Sequence, residues 1–115
     1  MVSDAVRAGR RSRRRGARGE LEVVDILRAH GWTGARRNFE SQGQKGGDIT
    51  GGPADVHWEV KRVEKLQLRK AWAQAVANGR PTDMRAVAHR CNGEPWLVTV
   101  ELVELLELLA FRERA

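Results

Sequence analysis

Asp48, Glu59 and Lys61 stand in the pattern Asp-x10-Glu-x-Lys, and all three are residue types that do phosphate chemistry. Asp48 leaves a glycine-rich loop, Gly46-Gly47, and Gly51-Gly52 follows it, so backbone can approach a ligand closely on both sides. Glu59 and Lys61 lie on the run Val56-His57-Trp58-Glu59-Val60-Lys61-Arg62-Val63. In an extended strand successive side chains point to opposite faces. Val56, Trp58 and Val60 then share a core face, and His57, Glu59 and Lys61 share the other. A carboxylate and an ammonium group therefore stand side by side. Mg²⁺ takes hard oxygen ligands and commonly needs only one or two protein carboxylates, with water and substrate phosphate completing its shell. Asp48 and Glu59 meet that need, with the Val60 backbone carbonyl as a further ligand. Lys61 adds a cation beside a phosphate.

Glu-x-Lys alone is a weak signal, because many surface strands carry it as a solvated ion pair. Its setting distinguishes this one. Glycines bracket Asp48, Glu20 lies early in a helix, and the protein is basic. The three histidines, His30, His57 and His89, match no zinc-ligand spacing. The glycine-rich loop lacks the Gly-Lys-Ser/Thr of a nucleotide-binding P-loop.

The elements that position these residues follow from periodicity and breakers. Residues 1–15 are expected to be disordered or frayed. Gly16 to His30 reads as a helix with an apolar stripe at Leu21, Val24, Ile26/Leu27 and Ala29, capped by Gly31. Trp32 to Phe39 reads as a strand, Glu40 to Gly47 as a loop, and Asp48 to Thr50 as a short strand. Gly51 to Asp55 is a turn, and Val56 to Val63 is the strongest strand. A helix over Leu66 to Asn78 ends at Gly79 and Pro81. Strands over Arg85 to Cys91 and Trp96 to Val100 flank the turn Asn92-Gly93-Glu94-Pro95. Glu101 to Arg112 closes as a leucine-rich helix. The order α-β-β-β-α-β-β-α implies an α/β protein, a mixed central β-sheet flanked by helices. The last helix is more apolar than one buried face requires. Leu102, Leu105, Leu106 and Leu109 form its core stripe, and Val103 and Leu108 fall outside it. That surplus fits either a dimer surface or burial on two sides.

At 115 residues and 12.9 kDa the chain is sized for one domain. Its net charge of +6 is localised. Residues 1–18 hold Arg7, Arg10, Arg11, Arg13, Arg14, Arg15 and Arg18 against Asp4 alone, and from residue 19 onward basic and acidic side chains balance. We divide the chain into a basic arm, 1–18, and a body, 19–115. Arginine-rich runs bind phosphates by counterion release without reading sequence. Lys65, Arg69 and Lys70 give the helix after the Glu-x-Lys strand a basic start, and Arg36, Arg37 and Lys45 flank the central loop. These residues, with Arg10, Arg11, Arg13, Arg14, Arg15 and Arg18, form the expected DNA-contacting set. The lone Cys91 has no internal disulfide partner, which suits a reducing, cytoplasmic setting. No apolar run approaches the ~18 residues of a membrane span, and no signal peptide is expected.

The chain resembles the PD-(D/E)xK nuclease superfamily, and within it archaeal-type Holliday junction resolvases and their phage relatives. The resemblance covers most of the sequence. Arg18-Gly19-Glu20-Leu21-Glu22-Val23-Val24, Leu27 and His30-Gly31-Trp32 resemble the family's opening helix. Arg36-Arg37-Asn38-Phe39-Glu40-Ser41 resembles the strand and loop that follow. Gly47-Asp48-Ile49-Thr50 stands where Pro-Asp-Ile/Leu is usual, and Glu59-Val60-Lys61 matches the Glu-Val-Lys core. The region after Gln74 is short beside the archaeal members. The resemblance implies a restriction-endonuclease-like fold and Mg²⁺-dependent phosphodiester hydrolysis, with Mn²⁺ as a substitute. It assigns Glu20, Asp48, Glu59, Lys61 and Ser41 to catalysis, with Asp48, Glu59, Glu20 and the Val60 carbonyl at the metal. Lys61 orients water and stabilises charge on phosphorus, and Ser41 hydrogen-bonds a phosphate oxygen. Gln74 is an additional candidate beside the site. The expected partner is branched DNA, bound by a homodimer, with no membrane involved. A same-fold nuclease acting on flap, fork or duplex DNA is the nearest alternative. A non-catalytic basic nucleic-acid-binding protein is the alternative of another class.

Overall fold

A computed structural model of the chain describes residues 3–39 and 47–115. Eight elements follow in the expected order: α1 (Asp4–Ala29), β1 (Arg36–Arg37), β2 (Ile49–Thr50), β3 (Val56–Arg62), α2 (Leu68–Asn78), β4 (Met84–Arg90), β5 (Leu97–Thr99) and α3 (Leu102–Arg114). The protein is mixed α/β. Its main sheet has the order β3-β4-β5, with β3 and β4 parallel and β4 and β5 antiparallel. β1 and β2 form a separate antiparallel pair. It joins the edge of β3 through one backbone bond, Asp48 N–H to the Trp58 carbonyl at 2.8 Å.

Helices cover both faces of the β3–β4 pair. On one face Val23, Val24 and Leu27 of α1 pack with Ala35, Ile49, Val60 and Ala88, and Trp58 and Trp96 close the margin. On the other, Ala71 and Ala75 of α2 meet Val87, flanked by Leu66 and Trp72. The alternation predicted for β3 holds for Val60 and Trp58, which pack in the α1 layer. The first layer is also pinned electrostatically. Glu22 of α1 pairs with Arg62 of β3 at 2.9 Å and with Arg90 of β4, and it accepts from Trp96 Nε1 at 3.3 Å.

Several sequence expectations need correction, and the strand expected over Trp32 to Phe39 is confined to Arg36–Arg37. The described part of the arm, from residue 3, is not frayed, since α1 runs unbroken from Asp4, and residues 1 and 2 lie outside the described residues. Ser3 caps it, its Oγ accepting from Val6 N–H at 3.2 Å, and Asp4 complements the positive end of the helix dipole. The buried face of α1 is Val23, Val24 and Leu27, whereas Leu21 and Ile26 are exposed. Close approach decides this. A Cβ on Gly19 would lie 2.9 Å from the Arg62 Cβ and 3.5 Å from Val60 Cγ1, so the face containing Gly19, Val23 and Leu27 is the one that fits against β3. Finally, no residue of α3 is buried, so the stripe Leu102, Leu105, Leu106 and Leu109 is not core.

No described helix is long and apolar enough to cross a membrane.

The two α1 glycines should respond oppositely to alanine. Nothing lies within 4 Å of a Cβ at Gly16, so Gly16→Ala should stabilise by about 0.5–1 kcal/mol through helix propensity. Gly19→Ala should destabilise, because the clash with Arg62 outweighs that gain. Urea denaturation of both variants checks the contrast.

Candidate active site

The site is built on the free edge of β3. In an extended strand the N–H and C=O of one residue point to the same side. The Trp58 carbonyl accepts from Asp48 N–H, so the peptide groups of Trp58 and Val60 face away from β4. Asp48 completes the edge with its side chain, and Val60 N–H donates to Asp48 Oδ2 at 2.7 Å. This directs the Val60 carbonyl to the same side as the Asp48 carboxylate. Gly47 makes the approach feasible, because a Cβ there would meet the Trp58 backbone at 2.8 Å. Glycine at position 47 thus has a steric cause.

Asp48 feels its neighbours strongly. Its pKa is pushed up from the ordinary 3.8 to about 6. Burial is the largest cause, and the charges of Glu59 and Glu20 add to it. The Val60 hydrogen bond and the Lys61 charge oppose it. Glu59 and Lys61 of β3 and Glu20 of α1 are thus near enough for their charges to bear on Asp48.

The carboxylates also have protein partners. Arg37 Nε donates to Glu20 Oε1 at 2.8 Å, and the Arg37 guanidinium lies 4.7 Å above the Phe39 ring. His57 Nε2 lies 2.8 Å from Glu59 Oε1, and this pair is almost wholly enclosed, at 4% and 2% exposure. Lys61 Nζ donates to Gln74 Oε1 of α2 at 2.9 Å. Among the described residues, no three His, Cys, Asp or Glu side chains form a group placed to hold one metal ion.

The expected basic residues are spread over several places. Lys61, Lys65, Lys70 and Gln74 line a cleft of about 230 Å³ against the start of α2, which brings the expected Gln74 to the site. Arg69 lies elsewhere on α2, with Trp72 and Leu68. The arm residues Arg10, Arg13 and Arg15 sit on α1. Arg7, Arg11, Arg14 and Arg18 recur at helical spacing along it, and Arg11, Arg14, Arg15 and Arg18 share a cleft with Arg62 and Asn92 of the body. Arg36 Nη1 donates to the Gly34 carbonyl at 3.5 Å. Ser41 and Lys45 lie outside the described residues.

A larger cavity of about 610 Å³ opens beside Gly47 and His57, between the β2–β3 turn and the loop after α2. Asp83 on its wall is held below the usual carboxylate range by hydrogen bonds from Arg80.

The sequence reading missed His57 as the partner of Glu59, although its i, i+2 position on the same strand face was the available signal. It also gave Glu22 no role, because a carboxylate that bridges a helix to two strands has no local pattern.

Comparison with protein-family models, with curated proteins and with solved structures returned no match to this chain.

The raised Asp48 pKa has a signed consequence for stability. Between pH ~3.8 and ~6 the folded state binds more protons than the unfolded chain, so stability contributed by this group is full below that range and falls as pH rises through it. The loss is on the order of 3 kcal/mol at most. Asp48→Asn retains an acceptor for Val60 N–H and lacks the charge. It should be as stable as wild type near pH ~4 and more stable above pH ~6, as chemical denaturation across that range would show.

Proposed function

We propose that this protein is a metal-dependent endodeoxyribonuclease with a restriction-endonuclease-like fold, acting on branched DNA and most readily on four-way junctions. One observation carries the reading. Asp48 is docked beside Val60 at the edge of β3, where its carboxylate shares an electrostatic site with Glu59, Glu20 and Lys61. An enclosed carboxylate that resists ionisation beside two others is a place where a cation relieves repulsion. The donor set fits a hard divalent ion. Asp48, Glu59 and the Val60 carbonyl would hold Mg²⁺ or Mn²⁺, with Glu20 released from Arg37 as a third carboxylate. Such an ion, when bound, polarises the scissile phosphate and lowers the pKa of a water.

The chain's own groups do the rest. Hydrolysis adds water across one P–O ester bond, and the departing oxygen takes up a proton. Lys61, steadied by Gln74, offers its ammonium group to the charge that grows on the phosphoryl oxygens. Lys65 and Lys70 in the same cleft suit the neighbouring phosphates. The arginines of α1 supply affinity that is independent of sequence. Ser41 is retained as a phosphate donor from the family resemblance.

A second reading has an observation in its favour. Glu20 and Glu59 each already have a nitrogen partner at 2.8 Å, which is how carboxylates of purely structural ion pairs are arranged. On that reading the protein binds nucleic acid through α1 and the α2 cleft and cleaves nothing. Cleavage of flaps, forks or plain duplex by the same site is the remaining alternative.

A panel of end-labelled four-way, three-way, flap, duplex and single-stranded DNAs, incubated with Mg²⁺ or Mn²⁺, separates these readings. Paired symmetric nicks in the four-way substrate are expected. Asp48→Ala should reduce cleavage by more than about a hundredfold, the kinetic equivalent of several kcal/mol of lost metal-assisted stabilisation. Binding should persist in that variant. If wild-type protein leaves every DNA intact with both metals, the binding-protein reading stands instead.

Replacing Arg7, Arg11, Arg14 and Arg18 by glutamine should weaken binding to all DNA forms alike. The slope of log affinity against log salt should become shallower by about 0.9 for each duplex phosphate that the arm no longer neutralises. An unchanged slope would show that the arm touches no phosphates.

A further inference from the structure

Lys61 and Arg62 are neighbours in β3 and point to opposite faces of the sheet. Lys61 meets Gln74 of α2, and Arg62 meets Glu22 of α1. A basic cleft lies on each side. The cleft on the α2 face holds Lys61, Lys65 and Lys70. The cleft on the α1 face, of about 480 Å³, is about twice as large and is formed by Arg11, Arg14, Arg15, Arg18, Arg62 and Asn92.

The two walls of the larger cleft have different origins. Arg11, Arg14, Arg15 and Arg18 are spaced i, i+3, i+4 and i+7, so they project from one side of α1. Arg62 ends β3 and Asn92 lies in the turn after β4. Glu22 fixes the floor. Its carboxylate lies 2.9 Å from Arg62 Nε and also pairs with Arg90, so one negative charge serves two guanidinium groups. Glu64, which accepts from Asn92 N–H at 3.0 Å, is a second carboxylate beside the cleft. Among the described residues, no carboxylate pairs with Arg11, Arg14, Arg15 or Arg18. Like charges at this spacing on a helix repel one another, and anions seated among them relieve that repulsion.

The shape of the row selects the anion. Arg11 and Arg18 lie about 10 Å apart along the helix axis, and Arg7 continues the row outward by about 6 Å. A line of planar, bidentate donors suits a succession of phosphates better than one small anion. A nucleic-acid duplex presents such a succession along its backbone. A duplex lying along α1 occupies the α1 face of the sheet, and Lys61, Lys65 and Lys70 then stay open on the other face.

We propose that the α1 cleft and the α2 cleft are separate duplex sites, so that one chain holds two duplex arms of a branched nucleic acid at once. Arg62 and Asn92 turn the arginine row of the arm into a site with two walls. The inference rests on the proposed branched substrate and not on its cleavage. Five guanidinium groups line the α1 cleft and three ammonium groups the α2 cleft, so the α1 cleft is the tighter site.

Titration in EDTA with a duplex of about 10 bp, one helical turn, counts the sites without cleavage. Wild-type protein should bind two duplexes per chain, one tightly and one weakly. Arg14→Glu/Arg18→Glu should keep only the weak site, and Lys65→Glu/Lys70→Glu only the tight one. Asn92→Glu sets a carboxylate among the arginines and should weaken the tight site about tenfold. Thr82→Glu makes the same change of charge before β4, at its opposite end, and should shift that site less than about twofold. All the substituted side chains are exposed, so circular dichroism should match wild type throughout. One duplex or none per wild-type chain would overturn the proposal, the first because both clefts would then belong to a single track. An unchanged tight site in Asn92→Glu would also overturn it, because the arm alone would then be gripping DNA. Inorganic tripolyphosphate that binds one site per chain more tightly than the duplex, and is lost in Arg14→Glu/Arg18→Glu, would reassign the α1 cleft to a free polyphosphate. Two duplexes bound with every DNA left uncut would keep this inference and remove the nuclease reading. One duplex bound with cleavage would do the reverse.

Discussion

The edge of β3 is where the fold and the candidate site become one object. An edge strand presents unpaired N–H and C=O groups that need partners. Here residue 48 supplies them twice, donating its own N–H to Trp58 and accepting from Val60 through its side chain. A second full strand would have satisfied these groups more simply. A carboxylate used as the acceptor instead places a charge at the strand edge, partly enclosed and close to two further acids. The elevated Asp48 pKa is the electrostatic record of that choice.

Each layer around this edge has its own device for holding a functional group. In α1, the close approach at Gly19 and the Glu22 network fix the helix against β3 and β4, which brings Glu20 to the β1 side where Arg37 meets it. The α2 layer holds Lys61 through Gln74. Within β3, the neighbouring His57 occupies the Glu59 carboxylate. Glu20, Asp48 and Glu59 thus each have a nitrogen partner, while the Lys61 ammonium group is oriented by the Gln74 amide.

Sequence pattern revealed most of the element order, because apolar alternation in Val56–Val63 and the breakers at Gly79, Pro81 and Asn92-Gly93 are local signals. It placed His57, Glu59 and Lys61 on one strand face for the same reason. Pattern failed where packing, rather than composition, decided. Leu21 and Ile26 are bulkier than Val23, yet Gly19 selects the face that buries Val23. The leucines of α3 resemble core residues in pattern, yet none of them is buried. The arginine-rich arm resembles a disordered tail by charge alone, but no proline separates it from the helix that follows, and Ser3 caps its start. The ion pairs of Glu20 and Glu22 join residues far apart in sequence, and no spacing rule encodes them.

The continuity of α1 gives the chain a mechanical phase. A flexible tail could lose or gain a residue between its arginines and the body without consequence. In a helix of 3.6 residues per turn, each inserted residue swings the arginine row by about 100° around the axis and advances it by about 1.5 Å. Gly19 and Val23 lock the rotational setting of the helix against the sheet. The direction in which Arg7, Arg11, Arg14 and Arg18 point is therefore dictated by the packing of the very turn that carries Glu20. Drift in the length of that connection would re-aim the arginine row rather than merely loosen it.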